Sequence, residues 1–285
     1  MKTLIIAEAA ATHDGDLEQA LCLVNLAANV GASAVKFQWL SSPERLAERR
    51  HAPEYLDAYR LLAFPCEWFP VLRDHAKALG LEFLCTSYLP EDVPVVAEYV
   101  DRFKVSSFEA MDAEFVAMHA RWPRTPLVIS AGMGADVEPA LAVYRALRDA
   151  LSGERVGWPQ PDILACTSAY PCPGEAACLA RLHPVTSPYP ESDIWPSSYT
   201  GYSDHTRHPW TGAMAVAAGA RIIEFHVRLD DTSPTNADYA VARTPDEACE
   251  YVRHIREAEA MLGSGENRIQ PSESAMLRYR VGGVS

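Results

Sequence analysis

The feature that most limits what this chain can fold into is a series of eight short apolar runs that alternate, nearly throughout, with helix-like stretches. The apolar runs lie at residues 3–9, 34–38, 81–87, 103–107, 126–133, 162–168, 201–206 and 221–226. Helical patterning marks residues 16–30, 68–79, 90–100, 112–121, 137–151 and 210–220, and a last amphipathic stretch covers 245–262. Pro90 suits the first turn of its helix, where its missing N–H has no partner to lose. Continuous apolar strands alternating with helices imply a parallel sheet covered on both faces. Eight such units favour a closed (β/α)8 TIM barrel, and 285 residues accommodate the roughly 250 that such a barrel takes. No G-x-G-x-x-G follows the first run, which weakens a dinucleotide-binding open sheet. No hairpin signal or composition break divides the chain, so the reading is α/β, one TIM-barrel domain over residues 1–285. Residues 39–65, charged and broken by prolines, read as a loop with a short helix, and 169–198, with six prolines, as mostly irregular.

Composition narrows the partners. At 48% hydrophobic residues the chain can bury one large core. Twenty-five Lys+Arg against 38 Asp+Glu leave a formal charge of −13, which repels nucleic acid and anionic membranes. An anionic substrate then needs a local pocket of lysines and hydroxyls. The seven cysteines are odd in number, form no C-x-x-C pair and sit in apolar surroundings, as buried reduced thiols do. No basic-then-apolar leader opens the sequence, and no apolar run approaches the roughly 20 residues that span a bilayer. A cytoplasmic location is the expectation.

Active residues of a barrel gather at the C-terminal ends of its strands. There the sequence offers Glu8, Lys36, Gln38, Thr86, Lys104, Ser107, Glu109, Ser130, Ser168, Ser203, His205 and His226. A charge inside an apolar run is costly unless it is paired or faces a polar cavity. A snorkelling stem or a buried ion pair accounts for Lys36 or Lys104 taken singly. Two lysines and several hydroxyls converging on one face make a phosphate or carboxylate site. His205 or His226 alone reads as a hydrogen-bonded structural histidine. As a pair on neighbouring strand ends they fit a divalent metal with open coordination positions. Glu8 and Glu109 are either ion-pair partners of the lysines or groups that orient substrate hydroxyls and water.

These residues lie in blocks whose order resembles the N-acetylneuraminate (sialic acid) synthase family of phosphoenolpyruvate-condensing enzymes. The blocks are I-A-E-A-A-A-T-H-D-G-D-L, V-K-F-Q, F-K-V-S-S-F-E, I-S-A-G-M, C-T-S-A-Y-P, G-Y-S-D-H-T, I-I-E-F-H, D-Y-A-V-A-R-T-P-D-E and L-G-S-G-E-N-R-I-Q-P-S-E. The resemblance implies a (β/α)8 barrel in which Lys36, Thr86, Lys104, Ser107, Ser130, Ser168 and Ser203 hold phosphoenolpyruvate. It implies a divalent cation (Mn²⁺, Mg²⁺ or Co²⁺) on His205 and His226, and Glu8 and Asp238 on hydroxyls of the acceptor sugar. Glu109, Gln38 and Tyr170 would line the reacting centre. In the implied chemistry the metal polarises an aldehyde and C3 of phosphoenolpyruvate attacks it. Water positioned by Glu109 adds at C2, and phosphate leaves a 3-deoxy-2-keto acid. Lys36 and Lys104 offset the phosphate charge throughout. A homo-oligomer is compatible with this reading.

The departures bear on the substrate. Ala10 and Thr12 replace a glycine and an asparagine of the family's opening block, Asp14 stands where asparagine or glutamate is usual, residues 87–89 (S-Y-L) replace a proline-phenylalanine turn, and Ala165 precedes C-T-S. Family members typically carry a small antifreeze-like domain after the barrel; with the sequence read to R-Y-R-V-G-G-V-S, the expectation is a site without that domain's arginine contact to an acetamido sugar. Loss of such a charge-assisted hydrogen bond costs about 1.5–3 kcal/mol. The expected acceptor is therefore an aldehyde other than N-acetylmannosamine, or a second chain completes the site. Two other readings stand beside this one: a non-catalytic barrel that binds an anion as partner of a complete synthase, and a metal-dependent pyruvate aldolase.

Overall fold

The computed structural model describes residues 2–152, 159–182, 199–266 and 268–282. Eight parallel strands close in chain order, with β8 returning to β1. They are β1 (Leu4–Ala10), β2 (Ala34–Trp39), β3 (Glu82–Ser87), β4 (Arg102–Val105), β5 (Leu127–Ala131), β6 (Asp162–Cys166), β7 (Gly201–Asp204) and β8 (Ile222–His226). The α/β barrel expected from the alternation is the fold.

Around the strands run α1 (Leu17–Asn29), α2 (Pro43–Arg49), α3 (Leu56–Leu62), α4 (Trp68–Ala78), α5 (Asp92–Ala97), α6 (Ala113–Met118), α7 (Glu138–Ser152), α8 (Thr211–Ala217) and α9 (Pro245–Leu262). Several begin where their sequence supplies a cap. Asp16, Ser42 and Asp112 each accept the N–H three residues on, and Thr244 with Glu247 forms a capping box ahead of α9.

Some local expectations need correction. Residues 39–65 hold two α-helices and a short 3-10 turn (Pro53–Tyr55), because Ser42 caps and Pro43 starts a helix that the charge density hid. Pro90 lies in the turn before α5, and Pro94 occupies the first turn instead. The helix expected over 112–121 gives way after Met118 to a 3-10 turn, His119–Arg121. Strands β4 and β6 end early, so Ser107 and Ser168 sit on loops. Cys85, Cys166 and Cys172 are buried, but Cys22, Cys66, Cys178 and Cys249 are exposed. Within 169–182 there are two 3-10 turns, Gly174–Ala176 and Leu179–Leu182, while 183–198 lies outside the described residues. Among the described residues no helix is long and apolar enough to cross a membrane.

Strand pleating sends alternate residues to the barrel axis. The lower layer there is apolar: Ile6, Ala34, Leu84, Val128, Leu164 and Ile222 form one buried cluster. Gly201 belongs to the same layer because a Cβ would come within 2.2 Å of the Ile222 carbonyl oxygen and 2.7 Å of the Leu164 side chain. Two residues further along the same strands stand Glu8, Lys36, Thr86, Ser130, Cys166, Ser203 and Glu224. The period-two repeat thus places a polar layer on a dry plug, at the end where barrel sites form.

Candidate active site

All fourteen residues singled out from sequence line one cavity of about 960 Å³ at this end of the barrel. Its floor is charged. The ammonium of Lys36 is ion-paired with Glu8 and donates to Thr86 Oγ1 at 3.0 Å. Lys104 Nζ donates to Ser130 Oγ at 2.8 Å and to its neighbour's carbonyl, Val105 O, at 3.0 Å. Between the lysines sits Glu224, whose Oε1 is 3.7 Å from Lys36 and 3.8 Å from Lys104 and accepts from Ser203 Oγ at 3.2 Å. Burial alone would raise the Glu224 carboxyl, but Lys104 and Lys36 hold it below the usual carboxylate range. Burial pulls the Lys36 ammonium down to about 8, against the attraction of Glu224.

Sequence reasoning missed Glu224, although R-I-I-E-F-H carries its signal. It is an acid inside an apolar run, with the same strand parity as His226. With it the floor is balanced, two lysines against two glutamates. The bland reading of Lys36, a buried ion pair, is also present, with Glu8 as partner.

A hydroxyl pair stands beside Lys104. Ser107 and Ser168 lie 2.9 Å apart, Oγ to Oγ. Gly132, in I-S-A-G-M, lets them meet: a Cβ there would lie 2.4 Å from Ser168 Oγ and 2.8 Å from Cys166 Sγ.

The two imidazoles face each other with centroids 5.5 Å apart. His205 Nδ1 donates to the Thr167 carbonyl at 2.7 Å, which fixes the tautomer and leaves a lone pair on Nε2. Burial, then the neighbouring His226, lowers its pKa to about 3, so the ring is neutral near pH 7. His226 Nδ1 is buried without a hydrogen-bond partner and lies 3.3 Å from Asp238 Oδ1. Burial opposes ionisation of Asp238, but His226 and the Ala11 N–H hold its carboxyl below its ordinary value. Two facing imidazoles, one ring nitrogen without a hydrogen-bond partner and an adjacent carboxylate suit a divalent cation. No group of three or more His, Cys, Asp or Glu gathers as a metal cage among the described residues. Two histidines would leave the remaining positions to water or substrate oxygen.

The departures from the family pattern turn out to hold this region together. Ala10, at φ 47°, keeps the left-handed backbone that favours the glycine it replaces, and its N–H donates to Glu8 Oε1 at 2.6 Å. Thr12 Oγ1 lies 2.7 Å from Ala9 O and 2.9 Å from Val227 O. Asp14 accepts from Ser233 N at 2.6 Å and Asn236 Nδ2 at 2.7 Å, tying down the loop that carries Asp238. Ala165 faces the outer core.

At the mouth, Glu109 is not a lysine's partner. Its Oε1 accepts from Arg50 Nε at 2.9 Å and Nη2 at 2.6 Å, and its other oxygen accepts from Ser106. The Arg50 guanidinium lies over Phe108 at 4.7 Å, Tyr88 at 4.9 Å and Tyr59 at 5.7 Å. Tyr88 donates to Gln38 Oε1 at 2.6 Å. Tyr170 packs on His205 with centroids 4.2 Å apart. Arg50 was invisible in the sequence because its acid lies 59 residues away.

Known proteins resemble this chain in sequence and in fold. The spore coat polysaccharide biosynthesis protein SpsE of Bacillus subtilis is 31% identical over 92% of this chain and 69% of its own length. The N,N'-diacetyllegionaminic acid synthase of Legionella pneumophila is 30% identical over 96% of this chain and 77% of its own. Among solved structures, the N-acetylneuraminic acid synthetase of Leptospira borgpetersenii, in complex with citrate, superposes with a TM-score of 0.81. Its identity is 26%, covering 98% of this chain and 92% of that one. The family model for NeuB matches residues 23–267, and the chain belongs to the NeuB family.

Proposed function

We propose that this protein condenses phosphoenolpyruvate with a sugar-like aldehyde, forming a 3-deoxy-2-keto acid and releasing phosphate. The observation that carries the reading is the polar layer: two buried lysines, a run of hydroxyls and two buried histidines around one cavity. Membership of a family that includes sialic, legionaminic and pseudaminic acid synthases supports it.

Lys104, Ser130, Ser107 and Ser168 bind one end of the enol phosphate, with Lys36, Thr86 and Ser203 beside them, as preorganised donors that need no rearrangement during reaction. Glu8 and Asp238 orient acceptor hydroxyls. Carbon C3 of the enol attacks the aldehyde carbon, leaving C2 electron-deficient. Water, held by the Glu109 carboxylate, adds at C2, and one of its protons makes the aldehyde oxygen a hydroxyl. The bond from C2 to the phosphate oxygen then breaks as the added hydroxyl passes its remaining proton to the departing phosphate and becomes the keto oxygen. Arg50 and Ser106 keep that carboxylate aimed. A divalent cation on His205 and His226 would supply Lewis-acid polarisation of the acceptor carbonyl. The floor's charges already balance, so an incoming phosphate and carboxylate need further positive charge, which such a cation brings.

The test is phosphate release from phosphoenolpyruvate with Mn²⁺ and a panel of sugar aldehydes. Release that depends on the aldehyde and on the cation, and that is lost in His226→Ala, is the expected result. Tight phosphoenolpyruvate binding without release for any aldehyde points to an anion-binding barrel. Turnover of free pyruvate points to an aldolase.

A further inference from the structure

Above the charged floor the cavity opens onto a wall that the condensation does not use. Tyr55, Tyr59, Leu61, Leu62, Tyr88 and Phe108 line it. The wall comes chiefly from α3 and the turn before it. Tyr59, Leu62 and Tyr88 belong to a second buried cluster with Leu40, Leu46 and Leu89, separate from the main core. Tyr55 and Phe108 are instead 57% and 53% exposed, so their ring faces are open to a molecule in the cavity mouth.

The charges at this wall are already committed. Arg50 is held by Glu109, and Arg49 Nη2 donates to Asp112 Oδ2 at 2.7 Å. Among the described residues lining this part of the cavity, an incoming anion meets two paired guanidiniums and no uncommitted cation. Taking either arginine from its partner strands a carboxylate, and for the nearly buried Glu109 that is strongly unfavourable.

We infer that this wall receives the end of the acceptor remote from its aldehyde. It selects an uncharged end with apolar surface, such as an acylamino or methyl group, over a phosphorylated end. This rests on reading the floor as a phosphoenolpyruvate:aldehyde site. Ring faces and leucines cover C–H and acyl groups at no electrostatic cost, whereas a phosphate requires its own donors and counter-charge.

Open-chain alditols test the inference without turnover, because they lack the reacting aldehyde. Calorimetric titration would compare the alditol of a 2-acetamido hexose with the same alditol carrying a terminal phosphate. The uncharged alditol should bind at least about tenfold more tightly, a difference of about 1.4 kcal/mol. Asp112→Asn keeps the cap on α6, since Oδ1 accepts from Phe115 N at 2.9 Å, yet frees Arg49. In that variant the phosphorylated alditol should gain about tenfold in affinity, the scale of one charge-assisted hydrogen bond. Equal binding of the two alditols to the wild-type protein, or binding of neither, overturns the inference. If the alditols discriminate while no aldehyde supports phosphate release, the wall stands and the condensation reading falls.

Discussion

The carboxylate of Glu224 stands 3.8 Å from the ammonium of Lys104 and 3.7 Å from that of Lys36, joining two buried cations that would otherwise repel each other. Breaking a buried pair by removing one partner costs about 3–5 kcal/mol. Glu224→Gln should therefore lower the melting temperature, by several degrees or more. Phosphoenolpyruvate restores the missing negative charge, so saturating ligand should raise the variant's melting temperature more than the wild type's. Equal ligand-induced shifts would contradict this role.

Lys36 must be charged to hold an anion, and burial pulls its pKa down to about 8. Below that value the ammonium is intact; above it the proton is lost and so is the attraction. The KM for phosphoenolpyruvate should be flat near neutral pH and climb as pH passes about 8. An ordinary lysine, at about 10.4, would give no such rise before pH 9. A flat profile to that point would contradict the assignment.

Gly132→Ala tests the hydroxyl pair. Its methyl would press on Ser168 Oγ and Cys166 Sγ, and overpacking of this kind costs about 1–3 kcal/mol. Because Ser168 Oγ is a binding group, the KM for phosphoenolpyruvate should rise about tenfold or more, with the acceptor KM nearly unchanged. Equal rises in both would point to general disorder of the site.

His13 and His119 predict the acid behaviour. His13 sits among Phe37, Phe64 and Trp68, and His119 between Phe103 and Phe115. Burial lowers both from 6.5 to about 4. A folded pKa below the unfolded one means that the unfolded chain binds more protons between these values. The stability in question is complete above pH 6.5 and is lost as pH falls toward about 4. Urea unfolding across that window should show stability falling with pH, less steeply in His119→Phe. An identical slope in the variant would remove His119 from the account.

The barrel was legible because strand and helix periods differ and eight repeats leave few alternatives. The floor was legible where a polar group interrupts an apolar strand, as at Lys36, Lys104 and His226. Glu224 carried the same signal and was overlooked beside its histidine neighbour. Arg50 could not be read: its meaning comes from Glu109 and three aromatic rings brought together by tertiary folding. The helices of 43–62 were hidden for a related reason, since their buried face meets Tyr88 and Leu89 rather than the main core.

The most direct test of condensation follows the bond that breaks. Phosphoenolpyruvate labelled with ¹³C at C3 would be incubated with the protein, Mn²⁺ and an accepted aldehyde in H₂¹⁸O. Condensation gives a new carbon–carbon bond at the labelled C3 and released phosphate free of ¹⁸O, because water attacks C2. Pyruvate as the product, with ¹⁸O in the phosphate, would contradict it.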